Sequence, residues 1–511
     1  MFPWTSELEL LPKVYGDAAP SLTIEVTNTS TGQSSSSSMS ASIGDNIVVN
    51  GTATPALPPA GANYSCDQCI SIINPFNGTQ MGIPIGFGAN GTTQWGPVQI
   101  PPNLSVTSFG IRLMHIPSGA LSNIVTVSLP VTTQNDAYGL ITQALAAGQT
   151  KIHLPGGNYS VSQEIDIQVP GVEIYGDGQN DTILRLNDNV YGGSNTNPQP
   201  AHVLNFDVGA DGFHVHDLQI DGNAAGNPFQ GNFSTPYAMN GVNSWNNSNG
   251  IIENCLIHDC RFMGVSIEIG SNCIVQNNTI INSGANGISV SNSVNNSQKG
   301  RGSAHQVLNN IIDGASDVGI SVWEGVGTLV QGNTVQNIVM NMSPYQQNTC
   351  DGIIFEGTNP CSNLTFSNNT VSNISRPNGS LYKGLGIGGG PDGSSNIQFL
   401  NNTIQNVYSA IRFVGDVAGL VATGTSVNGT TSTTEPLVTI VANRKGNSPT
   451  GADLEHNTLA GMPSGMTCAI IVLLAGSGKF INNTIHANGN VAMKVNPSIA
   501  GDWVTTPNTI E

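Results

Sequence analysis

The feature that most constrains the fold of this chain is the alternation of two short sequence patterns over its C-terminal half. One pattern is an Asn-rich strand, seen as NNTI at 277–280, NNII at 309–312 and NNTV at 368–371. The other begins with Gly or Ala, as in GVSIEIG from Gly264 and GISVWEG from Gly319. Strict alternation of two such units predicts a solenoid, in which each coil of the chain repeats one structural unit.

The spacing of apolar residues within both patterns favours strands rather than helices. Apolar and polar residues alternate with period two, which directs apolar side chains into the solenoid and polar ones outward. The repeated Asn falls at the same turn of every coil, where stacked amides can hydrogen-bond along the column. A β-propeller is the rival architecture, but its blades of about 40–45 residues fit the unequal intervals poorly. The chain is therefore predicted to be all-β, with a parallel β-helix.

Three regions follow from the distribution of strands and turns. Residues 1–20 are expected to be an N-terminal tail, and residues 21–132 hold short strands separated by Gly, Pro and Asn. That pattern is typical of an immunoglobulin-like β-sandwich, although no Cys…Trp…Cys spacing accompanies it. Residues 133–511 are predicted to form the β-helix. Its first coil would be covered by one short helix within 135–148, capped by Asp136.

Residues 135–186 contain several recognisable turns. A helix is followed by a strand that ends in PGGNY at 155–159, and a GDG turn at 176–178 precedes a Thr-Ile strand. This order resembles the opening of the pectate-lyase superfamily of right-handed parallel β-helix proteins, and the later coils resemble its parallel β-helix repeat. The resemblance implies a right-handed coil. The superfamily includes lyases, hydrolases, epimerases, viral tailspikes and non-catalytic proteins, so the fold leaves the activity open.

The catalytic blocks of individual families in that superfamily are absent. Polygalacturonase-type enzymes carry Asn-Thr-Asp, Asp-Asp, Gly-His-Gly and Arg-Ile-Lys blocks, and alginate-epimerase-type enzymes carry Asp-Pro-His; this sequence has none of them. The resemblance therefore transfers no catalytic residue to this chain.

The charge of the chain excludes some partners. Charged residues make up 9% of the sequence, and 14 Lys and Arg against 32 Asp and Glu give a net charge of −18. A nucleic-acid surface needs clustered bases, so nucleic acid is not an expected partner. No apolar run approaches the ~18 residues of a membrane helix, so no membrane span is expected. Recurrent Asn-x-Ser/Thr sequons, for example at Asn90 and Asn363, favour a secreted or cell-surface glycoprotein.

Two pairs of cysteines are close enough in sequence to close small loops. Cys66 and Cys69 form a lone C-x-x-C, for which a small disulfide loop is the preferred interpretation and free thiols the alternative. Cys350 and Cys361 bracket one predicted strand and could close a loop in the same way.

Phasing the Gly-initiated strands against one another predicts a binding face. The inward positions are apolar, for example Val265 and Ile267, and the outward positions form two columns. Four residues of these columns are candidate substrate-binding residues: Asn243, Trp245, Trp323 and Arg412. Two others are candidate catalytic acids: Glu268 and Glu356. Indole faces stack on sugar rings, and carboxylates bind hydroxyls or act as acid and base, so the columns suit an extended sugar chain.

The turns before these strands hold further charged residues: Asp259, Arg261, Asp317 and Asp351. Coils lie ~4.8 Å apart, so acids on neighbouring coils can converge, raise a pKa or bind Ca²⁺. Glu268 and Glu356 lie three repeats apart, about 14 Å, which is too far for the ~6.5–9.5 Å of an inverting pair. Asp259 with Glu268, or Asp313 or Asp317 with Asp351, fit better, although an Asp before Gly also serves ordinary turn geometry.

Two further histidines, His214 and His216, share one face of a predicted strand and could ligate a metal, but the sequence offers no obvious third ligand. No metal site is therefore assigned, and Ca²⁺ remains the one cofactor considered.

Together these patterns predict a secreted β-helix protein that binds an extracellular polysaccharide along its strand face and cleaves it as a lyase or glycoside hydrolase. The predicted catalytic residues are Asp259, Glu268, Asp317, Asp351, Glu356 and Arg261. The alternative is a non-catalytic surface or adhesion protein, favoured by the sequons, the sandwich and the missing catalytic blocks. The sugar, its linkage and the oligomeric state are left open.

Overall fold

The computed structural model describes two parts of the chain. It covers residues 136–190, 192–194, 197–199, 201–227, 239–291, 303–339, 350–375, 384–430, 432, 434–442 and 446–511, with short segments between 21 and 128. The chain divides into two compact units, Met1–Asn135 and Asp136–Glu511. The predicted tail at 1–20 lies outside the described residues.

The first unit contains nine described strands in two sheets. A four-stranded antiparallel sheet has the order Gln33–Ser35, Ser21–Asn28, Asn46–Thr54, Thr92–Gln99. A five-stranded sheet has the order Ser38–Ser40, Val125–Ser128, Ser108–His115, Cys69–Ile73, Ile85–Gly86, with only its first pair parallel. The secondary structure described in this region is all β, as expected; its immunoglobulin-like topology stays a prediction.

The second unit is a parallel β-helix built on three long sheets. Sheet 1 contains Lys151–His153, Glu173–Tyr175, His214–His216, Ile251–Glu253, Ile274–Gln276, Gln306–Leu308, Leu329–Gln331, Ser362–Ser367, Ser394–Leu400, Val417–Thr423, Ala452–Glu455, Gly478–Ile481 and Trp503–Val504. Sheet 2 contains Gly157–Val161, Thr182–Leu186, Gln219–Asp221, Leu256–His258, Thr279–Ile281, Ile311–Asp313, Thr334–Gln336, Thr370–Ile374, Thr403–Val407, Ser426–Thr430, Thr458–Ala460, Thr484–Ile485 and Thr509–Ile510.

Sheet 3 completes each coil before the chain returns to sheet 1. It contains Ile165–Ile167, Leu204–Phe206, Val242–Trp245, Val265–Glu268, Ile288–Ser291, Val318–Trp323, Asp351–Glu356, Leu385–Gly389, Ser409–Val414, Val438–Val441, Ile471–Leu473 and Met493–Val495. A two-stranded hairpin, Gly192–Ser194 with Asn197–Gln199, and a short 3-10 helix, Pro497–Asp502, lie outside the sheets. The predicted solenoid is confirmed.

One continuous apolar core fills the interior of the β-helix. The positions predicted to face inward, such as Val265, Ile267 and Phe355, are almost fully buried. The predicted helix is also confirmed, as Ala137–Ala146, and Ile141 on its inner face joins the core of the first coil. Asp136 caps the helix by accepting from the Gly139 amide, and it also accepts from Ser162 at the start of the coil. The helix therefore covers apolar side chains that the first coil would otherwise expose.

The repeated Asn-Asn-Thr sequence has a structural cause at the turn between sheets 1 and 2. The first Asn adopts positive φ, as at Asn277 (55°) and Asn401 (54°), which Asn tolerates better than most residues. The second Asn is buried and hydrogen-bonds to its equivalent in the next coil: Asn310 Oδ1 accepts from both the backbone and the side-chain nitrogen of Asn278, each at 3.0 Å. The predicted Asn column is confirmed.

The Gly that precedes many sheet 3 strands is required by close packing rather than by backbone conformation. A Cβ at Gly287 would lie 2.4 Å from Cγ2 of Ile312, and one at Gly264 would lie 2.5 Å from Cγ2 of Ile280. An added methyl group cannot be accommodated at such distances without moving the neighbouring strand.

The loop closure considered for Cys350 and Cys361 is not formed. The two side chains are buried thiols whose hydrogen bonds go to separate backbone carbonyls, Ser316 O and Glu356 O, each at 3.7 Å. Both cysteine side chains lie in the apolar core of the β-helix, but at different places in it. The sequence spacing of the two cysteines did not reveal this. Cys66 lies outside the described residues, so the Cys66–Cys69 loop stays a prediction. Within the described chain, no helix has the length and hydropathy needed to cross a bilayer.

Candidate functional site

The candidate site is the outward face of sheet 3. Parallel pairing places Trp245 beside Glu268, Glu268 beside Ser291, Ser291 beside Trp323, and Trp323 beside Glu356. These five residues form one outward column, so both indoles and both glutamates point to the same side. The column contains the same indole–carboxylate pair twice, three coils apart.

Glu356 is the most strongly perturbed acid of this column. Its pKa is raised from 4.5 to about 7, first by burial and to a smaller extent by the negative charge of Asp317, while a hydrogen bond from Ser321 opposes the rise. Ser321 Oγ donates to Glu356 Oε1 at 2.7 Å from the preceding coil. At neutral pH a large fraction of Glu356 is therefore protonated, which is the state that a general acid needs.

Glu268 occupies the equivalent place beside Trp245. Burial raises its pKa, and a hydrogen bond of 3.1 Å from Ser266 Oγ, two residues earlier on the same strand, opposes the rise. In contrast to Glu356, no carboxylate among the described residues contributes to this shift. The two indole–carboxylate pairs therefore differ in their electrostatics, and Glu356 is the stronger acid–base candidate.

The predicted residues Asp317 and Asp351 do lie together, at the entry of neighbouring sheet 3 strands. The Asp351 amide donates to Asp317 O at 2.8 Å, and Asp351 pairs with Val318. Asp351 is buried, and its Oδ1 accepts from the Leu385 amide of the next coil at 2.8 Å. Asp351 therefore holds the backbone of the next strand, whereas half-buried Asp317 acts on Glu356 through its charge.

Asn243, predicted to contact sugar, instead belongs to a hydrogen-bonded row on the first coils of the face. It is buried, its Nδ2 donates to Asn205 Oδ1 at 2.9 Å, and its Oδ1 accepts from Asn240 at 3.1 Å. Asn205 continues the row to Asp166 at 3.2 Å. The side-chain amide of Asn243 is thus hydrogen-bonded to Asn205 and Asn240, and these neighbours cover it although its position faces outward.

Three acids near the start of this face were missed by the sequence analysis: Glu164, Asp166 and Asp207. Burial first, and then the charges of Asp166 and Asp207, raise the pKa of Glu164 to about 7. Burial and the charge of Asp207 also raise the pKa of Asp166. The sequence signal was present, because Ile165-Asp166-Ile167 has the inward–outward alternation of the later strands but lacks their initial Gly.

Arg412 lies on the same outward face, two coils beyond Glu356. Its neighbour on the intervening coil is Gly388, which is followed by Gly389 and Gly390, so these three positions of the intervening strand add no side chain of their own. Arg412 is half-buried, and its Nε is buried without a hydrogen-bond partner among the described residues. A guanidinium in this state is suited to an anionic ligand.

Asp259 and Arg261 lie elsewhere, in the turns between sheets 2 and 3. They line a cleft of about 400 Å³ together with Arg185, Asp221 and Asn223. Asp259 Oδ2 is 2.7 Å from His258 Nδ1, and Arg261 Nε donates to Asn227 O at 3.0 Å.

The expected pairing of Asp259 with Glu268 is not formed. Asp259 follows a sheet 2 strand, Glu268 ends a sheet 3 strand, and the whole length of that strand separates them. The spacing of neighbouring coils does not bring the two carboxyl groups together, because they lie at different positions within a coil.

Asp221, His258 and Asp259 have ligand atoms within 4.8 Å of one another, but this set does not suit Ca²⁺. Ca²⁺ takes six to eight oxygen ligands, whereas one of these three donors is an imidazole nitrogen. Asp221 is already ion-paired with Arg185, and Arg261 adds a second cation to the cleft. The cleft is therefore a polar surface with charges of both signs, and its ligand set is not that of a calcium-binding site.

The family model described as "Right handed beta helix region" matches residues 171–335 and 240–434, which is more than half of the chain. The chain belongs to the right-handed β-helix family. The matched residues include the coils that carry Trp245, Glu268, Trp323 and Glu356. No curated protein matches the sequence.

Solved structures with a similar fold include three enzymes. The A-module of an Azotobacter vinelandii mannuronan C-5 epimerase is 15% identical, with 73% of this chain and 94% of that chain covered and a TM-score of 0.41. The catalytic domain of a family GH87 α-1,3-glucanase is 14% identical, with 92% of each chain covered and a TM-score of 0.48. A Yersinia enterocolitica family 28 exopolygalacturonase is 10% identical, with 96% and 99% covered and a TM-score of 0.47. At this level of similarity, no activity is transferred to this chain.

Proposed function

We propose that this β-helix protein binds an extracellular polysaccharide along the outward face of sheet 3 and cleaves a glycosidic bond there, with Glu356 as the general acid. The observation that carries the proposal is the single outward column in which Trp323 lies directly beside Glu356, an acid with a pKa of about 7. An indole supplies a platform for a sugar ring, and the neighbouring acid lies beside that platform.

Proton donation to the leaving glycosidic oxygen is the step common to hydrolysis, in which water attacks the anomeric carbon, and to β-elimination, in which a ring proton is removed. Glu356 supplies that proton because burial and the charge of Asp317 keep it protonated to near neutral pH. Asp317 is a positioning residue in this scheme, since it acts through the pKa of Glu356. Ser321 orients the carboxyl group by its hydrogen bond to Oε1.

The second indole–carboxylate pair extends the binding face. Trp245 and Glu268 lie three coils before Trp323 and Glu356 in the same column, a separation of about 14 Å at ~4.8 Å per coil. A sugar chain that runs parallel to the axis of the β-helix could contact both indoles at once. Glu268 then serves binding, and the bond is cleaved at Glu356.

The proposal is tested with a panel of neutral and anionic polysaccharides, measuring binding by calorimetry and cleavage by the release of reducing ends and of unsaturated products. Trp323→Ala should weaken binding at least tenfold, and Glu356→Gln should abolish cleavage while binding persists. The matched controls are Tyr175→Ala and Glu455→Gln, which change an aromatic and a carboxyl side chain on the outward face of sheet 1.

Three outcomes are distinguishable in this experiment. Cleavage retained in Glu356→Gln overturns the assignment of the acid. Binding without cleavage in the wild-type protein favours the alternative, a non-catalytic surface or adhesion protein that uses the same face. Equal binding by the wild type and by Trp323→Ala overturns the sheet 3 face as the binding site.

A further inference from the structure

A second cluster of chemically active side chains lies on the outward face of sheet 1, away from the proposed polysaccharide face. Glu173 and His214 are direct partners on neighbouring strands, and His216 lies two residues further along on the same face as His214. The ligand atoms of Glu173, His214 and His216 all lie within 4.8 Å of one another. The structure thus supplies the third ligand that the sequence did not reveal for the two histidines.

The contacts of His216 orient its ring as in a metal-ligating histidine. Its Nδ1 is 2.8 Å from Oδ2 of Asp217, and its Nε2 is 3.3 Å from Oε1 of Glu173. A neutral imidazole that donates from Nδ1 to Asp217 presents a lone pair at Nε2. Nε2 of His216 and Oε1 of Glu173 thus face each other and can both bind one metal ion.

One ligand–ligand distance in the cluster suits a metal ion of zinc size. Zn–N bonds of about 2.0–2.1 Å and Zn–O bonds of about 2.0–2.2 Å place neighbouring ligands of a tetrahedral site about 3.4 Å apart. The observed 3.3 Å between His216 Nε2 and Glu173 Oε1 matches this edge. The contact from Nδ1 of His216 to Asp217 is the outer hydrogen bond that metal-ligating histidines usually make.

The charges around the cluster also favour a cation. Asp217 and Glu253 contact the two histidines, with Glu253 Oε1 at 2.9 Å from His214 Nε2. The neighbouring cation is Lys151, whose ammonium group binds the other oxygen of Glu173 at 2.7 Å and whose side chain is 77% exposed. Oε1 of Glu173 therefore stays available to a metal while Oε2 keeps its ion pair.

The other mixed cluster, Asp221 with His258 and Asp259, lacks this electrostatic setting. Arg185 is ion-paired with Asp221, and Arg261 lines the same cleft, so two guanidinium groups oppose an added cation there.

We propose that Glu173, His214 and His216 bind a divalent transition-metal ion on the outward face of sheet 1, with water completing the coordination. Two imidazoles and one carboxylate suit Zn²⁺ and its neighbours in the first transition row, and they do not suit Ca²⁺, which prefers oxygen ligands. Because the ligands lie on two successive coils, the bound ion links the strands Glu173–Tyr175 and His214–His216. Metal binding should therefore stabilise the folded chain.

The test uses the full-length chain without a histidine tag, freed of metal by chelation. Titration with Zn²⁺ followed by calorimetry should give saturable binding of one ion, and Zn²⁺ should raise the melting temperature. Glu173→Gln, His214→Ala and His216→Ala should each weaken binding at least tenfold. Asp217→Asn should weaken it by about 10–100-fold, because it removes the outer hydrogen bond of a ligand.

The matched control is His486→Ala. It removes a half-exposed imidazole that contacts the carboxylate of Glu511, in the last coils of the β-helix. It should bind Zn²⁺ as the wild type does. Glu173→Gln preserves side-chain shape, so it decides the question if an alanine variant fails to fold. Absence of saturable Zn²⁺ binding, equal binding by Glu173→Gln and the wild type, or displacement of Zn²⁺ by equimolar Ca²⁺ would each overturn the site.

Discussion

The hydroxyl of Ser321 donates a 2.7 Å hydrogen bond to Oε1 of Glu356, which lies on the next coil of the solenoid. This contact lowers the pKa of Glu356, while burial and the charge of Asp317 raise it more strongly, to about 7. The ionisation of the proposed acid is therefore set by residues on two successive coils. Because the two polar neighbours act in opposite directions, they provide a test of the assignment.

The first prediction concerns the pH dependence of cleavage. A general acid must be protonated, so kcat should fall as the pH rises above about 7. Ser321→Ala removes a bond that stabilises the carboxylate, so the pKa should rise and the alkaline limb should move to higher pH. Asp317→Asn removes a negative charge, so the limb should move to lower pH. The measurement is the pH profile of kcat for the three proteins.

Nonspecific damage to the active site would lower kcat in both variants without moving the limb in opposite directions. Shifts of the same sign in the two variants would show that Glu356 does not control the alkaline limb.

The second prediction concerns stability. Folding raises the pKa of Glu356 from 4.5 to about 7, so between these pH values the folded state holds a proton that the unfolded state has released. This group therefore lowers the free energy of unfolding as the pH rises through that window. Glu356→Gln has no such dependence, so its melting temperature relative to the wild type should increase from pH 4.5 to 7. Parallel curves would contradict the raised pKa.

The solenoid could be predicted from sequence because its signals are local and repeated. Each Asn-Asn-Thr combines a positive-φ residue, a buried ladder amide and the first residue of a sheet 2 strand. The same three residues also form a glycosylation sequon. Several sequons are thus a consequence of the fold, and secretion remains a prediction.

The candidate site could be predicted only where its residues share a strand register. Trp245, Glu268, Trp323 and Glu356 were found because period two and a shared Gly align them. The pairing of Asp259 with Glu268 failed because the sequence gives no measure of position along the coil. Glu173 was missed as a partner of His214 because long intervening segments hide their direct pairing.

The third prediction concerns the Gly that starts the sheet 3 strands. A Cβ at position 287 would lie 2.4 Å from Ile312 Cγ2 and 2.7 Å from Gly319 O. Gly287→Ala should therefore lower the free energy of unfolding by about 1–3 kcal/mol, as overpacking of a core does. Gly156→Ala is the matched control, since its nearest neighbour would be 3.5 Å away, and it should change stability by less than about 0.5 kcal/mol. Chemical denaturation measures both; equal stability of the two variants would refute the packing argument.

The fourth prediction concerns the sign of charge on the bound polysaccharide. Arg412 points outward beside Gly388, and its Nε lacks a partner among the described residues, so an acidic sugar group could bind there. Arg412→Gln should weaken binding of a polyuronate at least tenfold and leave binding of a neutral glucan unchanged. Arg412→Lys should restore part of the affinity, because it keeps the charge but loses the planar fork. Lys479→Gln removes a positive charge from sheet 1 and should have no effect, which separates a local contact from a change in net charge. If Arg412→Gln weakens neutral and acidic polymers equally, Arg412 supports the face and does not select an anion.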